Sequence, residues 1–399
     1  MPEGNLAPPL AGVTVVELSH SVAAAYAGRL LATLGAETIM VEPLDGSPLR
    51  REPPFLPPAN AASALFAFLA SGKKSVAGDI ATVSGRAALS NLLATADVFI
   101  HDIPVGQRAA FGLDEETLRQ RYPGLIDVSV LPFGAHGAKA DWVAEEINLI
   151  HASGEGFLLP NGLSAELFPD RPPLKVHGHF ASYQGGVVAA LGALSALMSR
   201  DQVGAESVDV SVQDAMLAVG AFALQRFGDG SLEHRSTRSF KYGGVLECAD
   251  GYVELLTLED RQWRGLVELM GQPQWALEPA LSDSLERSRR GQEINAAIRV
   301  WARRQFVAAV VTRAQTLGVP MAKYNSPAEV LAGKHEGARK LFQEVDVVGA
   351  GRLPMLAAPF HLDGAPLALT AGPPQLGAHQ HLVGEPQRHE RSAAAAGVS

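Results

Sequence analysis

The sequence predicts an α/β fold with a parallel sheet, and two features of its first 130 residues carry that prediction. Short runs rich in β-branched residues, which are typical of strands buried on both faces, alternate with segments rich in helix formers. Regular repetition of strand, helix and strand places helices on the faces of a parallel sheet. At about 100–200 residues per domain, a chain of 399 residues has room for two or three domains.

The first elements follow in chain order. Strands are predicted at 13–18, 37–41, 75–80, 98–100 and 125–130, and helices at 24–34, 82–94 and 114–121. The proline-rich segment 161–175 is typical of a loop. A long helix rich in Ala and Gly is predicted over 181–200, then a strand at 207–210 and a helix that Ser211 caps.

The composition of the sequence changes after Phe227. Residues 228–244 are polar and contain glycine, and a hairpin turning at Asp250-Gly251 follows them. Helices are predicted at 260–270, 285–304 and 304–317. These elements indicate a second, smaller domain, and the final residues from 389 are expected to form a frayed tail.

Composition excludes several classes of protein. Apolar residues make up 47% and charged residues 19% of the chain, which is typical of a globular protein. The net charge of −9 argues against non-specific nucleic-acid binding. The longest apolar run, Val187–Met198, is shorter than the ~18–20 residues that cross a bilayer, so no membrane span is expected. A single cysteine, Cys248, and a start without a secretory signal favour a cytoplasmic protein.

Familiar catalytic signatures, including the P-loop, the G-x-S-x-G elbow and the H-E-x-x-H zinc motif, are absent from the sequence. The densest polar cluster in an apolar setting is E-E-I-N-L-I-H-A-S-G-E-G at 145–156. Glu145 and Glu146 open a predicted helical turn, whose N–H groups favour a carboxylate able to attack a thioester carbonyl. Acidic residues in a first turn are also ordinary helix caps, and spacing alone favours that interpretation.

Two further residue types have candidate roles. His179, in H-G-H at 177–179, precedes the alanine-rich helix, where its imidazole can act as a base or as a cap. Two histidines without a further ligand cluster do not predict a metal site, and no metal is expected. Cys248 lies in a predicted strand and is interpreted as a small buried residue rather than a nucleophile.

Eleven short motifs, in the same order, resemble those of family III CoA-transferases, the superfamily of formyl-CoA:oxalate and carnitine CoA-transferases and α-methylacyl-CoA racemases. The matching stretches are L-x-G-V-x-V-V-E-L at Leu10–Leu18, Y-A-G-R-L-L-A-x-L-G-A-E at Tyr26–Glu37, V-E-P at Val41–Pro43 with Arg50 following, G-K-K-S-V-x-x-D-I at Gly72–Ile80, A-D-V-F-I at Ala96–Ile100, G-L-x-x-E-x-L at Gly112–Leu118, F-G-x-x-G at Phe133–Gly137, V-D-V-S-V-x-D-A at Val208–Ala215, A-D-G-Y at Ala249–Tyr252, G-V-P at Gly318–Pro320 and A-P-F at Ala358–Phe360. No single motif is diagnostic, and it is their shared order that carries the resemblance.

The resemblance implies an architecture and a reaction. It implies a Rossmann-like large domain at 1–225, a smaller α+β domain at 226–329, and a C-terminal return to the large domain at 330–399. It also implies an interlocked homodimer that acts on acyl-CoA and carboxylic acid substrates without a permanently bound cofactor. In this family an aspartate carries first the acyl group, as a mixed anhydride, and then CoA, as a thioester.

The resemblance also assigns residues. Glu146 occupies the position of the catalytic aspartate, Glu145 that of the racemase histidine, and His179 that of the second acid–base residue of the racemase. A glutamate adds one methylene and moves the carboxylate by about 1.3–1.5 Å. The leading hypothesis is an acyl-CoA:carboxylate CoA-transferase with Glu146 as carrier. The alternatives are an acyl-CoA racemase or isomerase that moves an α-proton, and a CoA-binding pseudoenzyme.

CoA is expected in the crevice that follows the first two strands, because open α/β sheets bind ligands at the carboxyl ends of their strands. His20, Val22 and Ala25 are the candidate contacts after the first strand. The candidate cations for the CoA phosphates are Arg50, Arg51, Lys73, Lys74 and Arg108. The N-F-R-P-G motif of the family is degenerate here, as D-I-P-V-G at Asp102–Gly106, and lacks an expected arginine.

A glycine pair is the last candidate. The resemblance implies a glycine-rich loop that closes over the reaction intermediate, and Gly243 and Gly244 occupy that part of the sequence. A simple hairpin entry is an equally good interpretation of the same two glycines.

Overall fold

The structure is a computed structural model. It describes residues 7–58, 62–159, 170–172, 174–220, 242–369 and 371–384. Most of the predicted loop over 161–175, most of the polar segment over 228–244 and the predicted tail lie outside the described residues.

A parallel sheet confirms the predicted α/β class. Its six strands are β1 (Thr14–Leu18), β2 (Glu37–Glu42), β3 (Lys74–Ala77), β4 (Val98–His101), β5 (Ile126–Leu131) and β6 (Ser207–Ser211). They lie in the order β3-β2-β1-β4-β5-β6, which is the strand order of a doubly wound sheet. Strands β2 and β3 lie on one side of β1, and β4, β5 and β6 lie on the other. The connections therefore change direction between β1 and β4, and a crevice is expected at the carboxyl ends of these two strands.

Helices connect these strands, and side-chain caps begin several of them. The helices are α1 (Val22–Thr33), α2 (Ala64–Ala70), α3 (Val83–Leu93), α4 (Val105–Phe111), α5 (Glu115–Arg121), α6 (Glu146–Ala152), α7 (Phe180–Val203) and α8 (Val212–Val219). Ser21 Oγ accepts from an N–H group in the first turn of α1, and Asp114 does the same for α5. Ser211 caps α8, as predicted.

The sheet is buried on both faces, because neighbouring residues of β1 belong to different cores. Val15 packs with residues of α1 and α7, whereas Val16 packs with residues of α3. Glycines allow α7 to lie close against α1: a Cβ at Gly186 would lie 2.7 Å from the carbonyl oxygen of Ala23. This contact fixes the amino end of α7 near the start of α1.

Among the described residues, α7 alone is long and apolar enough, by length and composition, to cross a membrane. Its 24 residues exceed the apolar run considered in the sequence. Core helices of globular proteins meet the same criterion, and here Ala189, Ala193 and Ala196 are buried in the core beside the sheet.

Contacts divide the chain into two compact units. One comprises 1–153, 176–221 and 334–399, and the other comprises 154–175 and 222–333. The second unit therefore includes residues 154–175, which the resemblance places in the large domain. In the described part of the second unit, β7 (Gly244–Cys248), β8 (Gly251–Leu255) and β9 (Met321–Lys323) form an antiparallel sheet.

Helices complete the second unit, and two boundaries differ from the prediction. The helices are α9 (Asp260–Leu269), α10 (Ser284–Arg289), α11 (Gly291–Ala302), α12 (Val307–Thr316) and α13 (Pro327–Leu331). The single helix predicted over 285–304 is two helices, because the backbone leaves helical geometry at Arg290. The hairpin turns at Ala249-Asp250, one residue earlier than predicted, since Cys248 pairs with Gly251.

The C-terminal segment returns to the parallel sheet. After α14 (Lys334–Ala338) come the hairpin of β10 (Phe342–Val347) and β11 (Gly351–Leu356) and the short pair β12 (His361–Leu362) and β13 (Ala365–Pro366). The N–H of His379 then donates to the carbonyl of Ser75 in β3 at 2.9 Å. This bond joins the C-terminal segment to the edge of the sheet.

Candidate active site

The carboxylate of Glu146 is bound to the amino end of α7. Its Oε1 accepts from the N–H of Ala181 at 2.5 Å. Its Oε2 accepts from the N–H of Ser182 at 3.2 Å and from the Ser182 hydroxyl at 2.8 Å. Glu146 is the first residue of α6, so one side chain joins the starts of two helices. His179 is the N-cap residue of α7 but makes no side-chain cap, and Glu146 supplies that function instead.

The packing of α6 decides which of the two adjacent glutamates reaches α7. Leu149 and Ile150 are buried in the core, and Asn148 Oδ1 accepts from the N–H of Glu145 at 2.8 Å to close the first turn. Successive helical residues point about 100° apart, so Glu146 meets α7 while Glu145 is exposed. The structure therefore brings Glu146 to the residues that follow His179, and it leaves Glu145 at the surface.

The His179 ring lies at the amino end of α7. The ring is half-buried and lies edge-on to Tyr183, with 6.4 Å between the two ring centroids. Neither ring nitrogen forms a hydrogen bond with another described residue. An imidazole at this position can act as a base or as a nucleophile.

Aromatic side chains flank this end of α7. Tyr183 packs edge-on to Tyr26, with 4.8 Å between ring centroids, and both contact Phe68 of α2. Burial, reinforced by Tyr26 and the Glu146 carboxylate, raises the pKa of Tyr183 to about 12. Tyr183 therefore keeps its proton at neutral pH. Sequence reasoning missed both Tyr183 and Ser182, which carry no signal beyond their position near the start of a predicted helix.

The turn between β1 and α1 is already occupied by a carboxylate. Asp102 Oδ2 accepts from the N–H of His20 at 2.7 Å and from the N–H of Ser21 at 2.6 Å. These amides lie where a doubly wound fold usually binds a phosphate. Val22 and Ala25 are buried, so of the three contacts predicted here His20 alone is exposed.

Three of the five predicted phosphate-binding cations have hydrogen-bond partners within the fold. Lys73 has a fully buried side chain that donates to Glu17 and to the carbonyl of Ala25. Arg108 is buried and donates to the carbonyl of Ile103 and to Ser129 Oγ. Arg50 clamps the Glu42 carboxylate with two hydrogen bonds, of 2.7 and 2.8 Å.

The other two cations remain accessible. The Arg51 side chain is 56% exposed and lies 3.3 Å from Asp45. Lys74 is partly exposed and pairs with Glu37 on the neighbouring strand. Surface ion pairs of this kind are weak, so either cation is available to a phosphate.

The remaining candidates lie in the second unit. Gly243 and Gly244 have φ of +96° and +74°, a region that favours glycine, and the N–H of Gly243 donates to Asn295 Oδ1. The predicted loop closure remains a prediction. Cys248 is buried, and burial raises the pKa of its thiol, so it is a poor nucleophile. The described residues contain no cluster of three or more His, Cys, Asp and Glu that could hold a metal ion.

Comparison with known proteins identifies the family. The family described as CoA-transferase family III matches residues 10–380. Succinate–glutarate CoA-transferase from Agrobacterium fabrum is 28% identical over 98% of this chain and 98% of its own. Succinyl-CoA:mesaconate CoA-transferase from Haloarcula marismortui is 28% identical over 93% of this chain and 92% of its own.

The fold agrees with a solved relative. A CaiB/BaiF family protein from Brucella suis has a TM-score of 0.81 and 27% identity, over 94% of this chain and 98% of that one. The fold and the family match thus define a CoA-transferase of the α/β class. The chain belongs to CoA-transferase family III, and the resemblance seen in its motifs is confirmed.

Proposed function

We propose that this enzyme transfers CoA from an acyl-CoA to a carboxylic acid through an acyl group held covalently at the amino end of α7. The observation that carries the proposal is the Glu146 carboxylate, held by three donors at the amino end of α7, where the ring of His179 also lies. Both named relatives are CoA-transferases of dicarboxylic acids. Dicarboxylic acids are therefore the first acceptors to test.

The family mechanism, transferred to this chain, uses Glu146 as the carrier. A Glu146 oxygen attacks the donor thioester carbonyl, the C–S bond breaks, and CoA leaves as a thiolate. The thiolate then attacks Glu146 Cδ and expels the donor acid, leaving a glutamyl-CoA thioester. An acceptor carboxylate reverses these two steps and departs as the new CoA ester. No metal or permanently bound cofactor is needed for this sequence of steps.

The test combines turnover with trapping. Purified enzyme is incubated with succinyl-CoA and a panel of carboxylic acids, and new CoA esters are measured by mass spectrometry. A parallel sample is quenched in acid and searched for an acylated peptide. Transfer to at least one acid, together with an acylated peptide, supports the proposal. Absence of transfer over a broad panel of donors and acceptors overturns it.

The His179 imidazole, which forms no hydrogen bond within the described part of the chain, favours one second candidate, an acyl-CoA isomerase or racemase that moves an α-proton. Incubation in deuterated water separates the two reactions. Deuterium entry at the α-carbon without CoA exchange supports the isomerase. Tight CoA binding with neither reaction would instead support a CoA-binding pseudoenzyme.

The CoA phosphates are proposed to lie near Arg51, beyond the carboxyl end of β2. The amides at the start of α1 favour this arrangement because they already hold the Asp102 carboxylate, whose charge repels a phosphate. Arg51 is exposed and its one ion pair is weak. The uncharged arm of CoA is then proposed to lie in the crevice beside His20.

We also propose a homodimer of the interlocked type, with a Rossmann-like large domain and a small domain in each chain. A row of exposed apolar side chains on α7, called here the apolar stripe, supports the association of two chains. Val187, Leu191 and Met198 are 45%, 61% and 84% exposed, and together they form an apolar surface on a core helix. A single buried cysteine without a disulfide agrees with a cytoplasmic location.

A further inference from the structure

We infer that a cavity between α3 and α5 is a second binding site, which takes a small organic anion with a phosphate or carboxylate head and an apolar body. The inference goes beyond the proposed CoA transfer and does not depend on it. The cavity has a volume of about 530 Å³, which is within the range of sites that hold small molecules. It is lined by residues of α3, the end of α4, the connection from α4 to α5, and the end of α5.

The cavity lies on the opposite face of the parallel sheet from Glu146. Leu89, which lines the cavity, packs in the core that contains Val16 of β1. Ile150, which lies in the same helix as Glu146, packs in the core that contains Val15. Because neighbouring strand residues point to opposite faces of a sheet, these two cores are on different sides of β1. The sheet therefore lies between the cavity and the Glu146 carboxylate.

Two arginines at this cavity have no carboxylate partner among the described residues. Arg86 donates through Nη1 to the carbonyl oxygens of Ile80 and Ala81, both at 2.9 Å. Arg121 donates through Nη2 to Ser90 Oγ at 3.0 Å. A guanidinium has five N–H donors, so each arginine retains donors for a ligand. Their two positive charges favour an anion as that ligand.

The two arginines meet at one face of α3. Arg86 and Ser90 are four residues apart in that helix, so they lie on the same face and about 6 Å apart along its axis. Arg121 also lies at this face, because it donates to Ser90. Tyr122 adds a hydroxyl 2.7 Å from Ser90 Oγ, and its ring centroid lies 5.4 Å from Cζ of Arg121. Guanidinium and hydroxyl groups are the side-chain donors that bind phosphate and carboxylate oxygens.

The buried part of the cavity lining is apolar. Leu89, Leu93 and Leu113 are buried, and Phe111 is partly buried against the same core. An inorganic anion would contact the polar groups alone, whereas a ligand with an apolar body also removes these side chains from water. The combination of polar and apolar lining therefore fits an organic anion better than a free inorganic one.

Calorimetric titration of the full-length enzyme tests this site with two probes, phenyl phosphate and benzoate, which carry the two kinds of head on one ring. We expect at least one probe to bind saturably, and phenol, a neutral analogue, to bind at least about tenfold more weakly. The probe that binds more tightly identifies the head. Saturating CoA should leave its affinity unchanged, because the cavity is separate from the proposed CoA crevice. Saturable binding of neither probe, or displacement of the probe by CoA, would overturn the inference.

Charge variants locate the bound probe. Arg86→Gln and Arg121→Gln should each weaken its binding by about fivefold or more, because each removes a cation from the cavity. Arg119→Gln is the matched control, since Arg119 lies in α5 but pairs with Glu115, and it should bind the probe as the parent does. Parental affinity in both Arg86→Gln and Arg121→Gln would overturn the inference.

A second pair of variants tests the cavity without removing a charge. Ala110→Trp places an indole in the cavity and should abolish binding of the probe. Ala109→Trp changes the neighbouring exposed residue of α4, which does not line the cavity, and should leave binding unchanged. Thermal unfolding of both variants verifies that they are folded. Parental affinity in a folded Ala110→Trp variant would show that the probe binds elsewhere and would overturn the inference.

Discussion

Lys73 and Glu17 form a buried ion pair, with Nζ 2.6 Å from Oε2 and side chains that are 0% and 3% exposed. Lys73 also donates to the carbonyl of Ala25 in α1, and Ser19 Oγ donates to Glu17. The pair therefore joins β1, the turn after it, the first turns of α1 and the start of β3. Burial raises the pKa of Glu17 and lowers that of Lys73, and the attraction between them opposes both shifts.

Replacing one member of this pair should be strongly destabilising. Lys73→Met leaves the Glu17 carboxylate buried without a counter-ion, a change that typically costs about 3–5 kcal/mol. Urea denaturation measures the change in the free energy of unfolding. Lys74→Met, in an exposed pair with Glu37, is the matched control and should cost at most about 1 kcal/mol. Equal effects of the two substitutions would contradict the burial argument.

Gly28 makes room for the same ion pair. A Cβ at this position would lie 1.8 Å from Glu17 Oε2 and 3.2 Å from Lys73 Nζ. Gly28→Ala should therefore destabilise the fold by about 1–3 kcal/mol through overpacking, despite alanine's higher helix propensity. A Cβ built at Gly337, in α14, would meet no packing neighbour within 4 Å among the described residues. Gly337→Ala should be neutral or slightly stabilising, and a similar loss in both variants, measured by thermal unfolding, would rule out the clash.

Glu42 should make stability depend on acid pH. Burial raises its pKa, but hydrogen bonds from Arg50, Ser75 and the N–H of Ser47 outweigh burial and leave the pKa below its ordinary value of 4.5. The folded state therefore binds a proton less readily than the unfolded state. The stabilisation is present above 4.5 and is lost as pH falls through the lower folded value.

The measurement compares wild type with Glu42→Gln by urea denaturation at several pH values. The variant should be less stable at neutral pH, because it leaves Arg50 without its carboxylate. The difference in the free energy of unfolding between the two proteins should decrease on acidification. If this difference stays constant down to the lowest pH at which the protein is folded, the charge of Glu42 contributes nothing to stability.

Arg51 should contribute to CoA affinity, since it is the exposed cation that follows β2. Arg51→Ala should weaken CoA binding by about fivefold, equivalent to about 1 kcal/mol, and should reduce the salt dependence of binding. Calorimetric titration at two salt concentrations tests both effects. Arg119→Ala removes a similarly exposed, paired arginine from α5 and serves as the control. Parental affinity and salt dependence in Arg51→Ala would remove the assignment.

The apolar stripe on α7 should mediate association of two chains. Leu191→Glu places a charge in the centre of that stripe and should shift the protein from dimer to monomer. Light scattering coupled to size-exclusion chromatography measures the mass in solution. Leu285→Glu changes an equally exposed leucine, 66% accessible, in α10 and should leave the mass unchanged. A wild-type protein that is a stable monomer would refute the proposed dimer.

Local pattern in the sequence was sufficient for the parallel sheet and for most helix starts. The run Val13–Leu18 indicates a strand, and Ser211 indicates a cap, because both depend on residues next to each other in the chain. The same local reasoning located Glu145 and Glu146 at a helix start. It could not decide which glutamate meets α7, since that depends on the burial of Leu149 and Ile150.

The sequence by itself also determined that the protein carries the motifs of its family. It contained one indication of a buried charge, because Glu17 lies within an apolar strand. The tertiary structure decided which charges reach solvent. Lys73 donates to Glu17, which is 56 residues away in the sequence, and Arg108 donates to Ser129, which is 21 residues away. A buried charge requires a partner, and that partner is supplied by whichever distant segment packs against it. Strand and helix periodicity is local along the chain, whereas the pairing of buried charges exists only once the chain has folded.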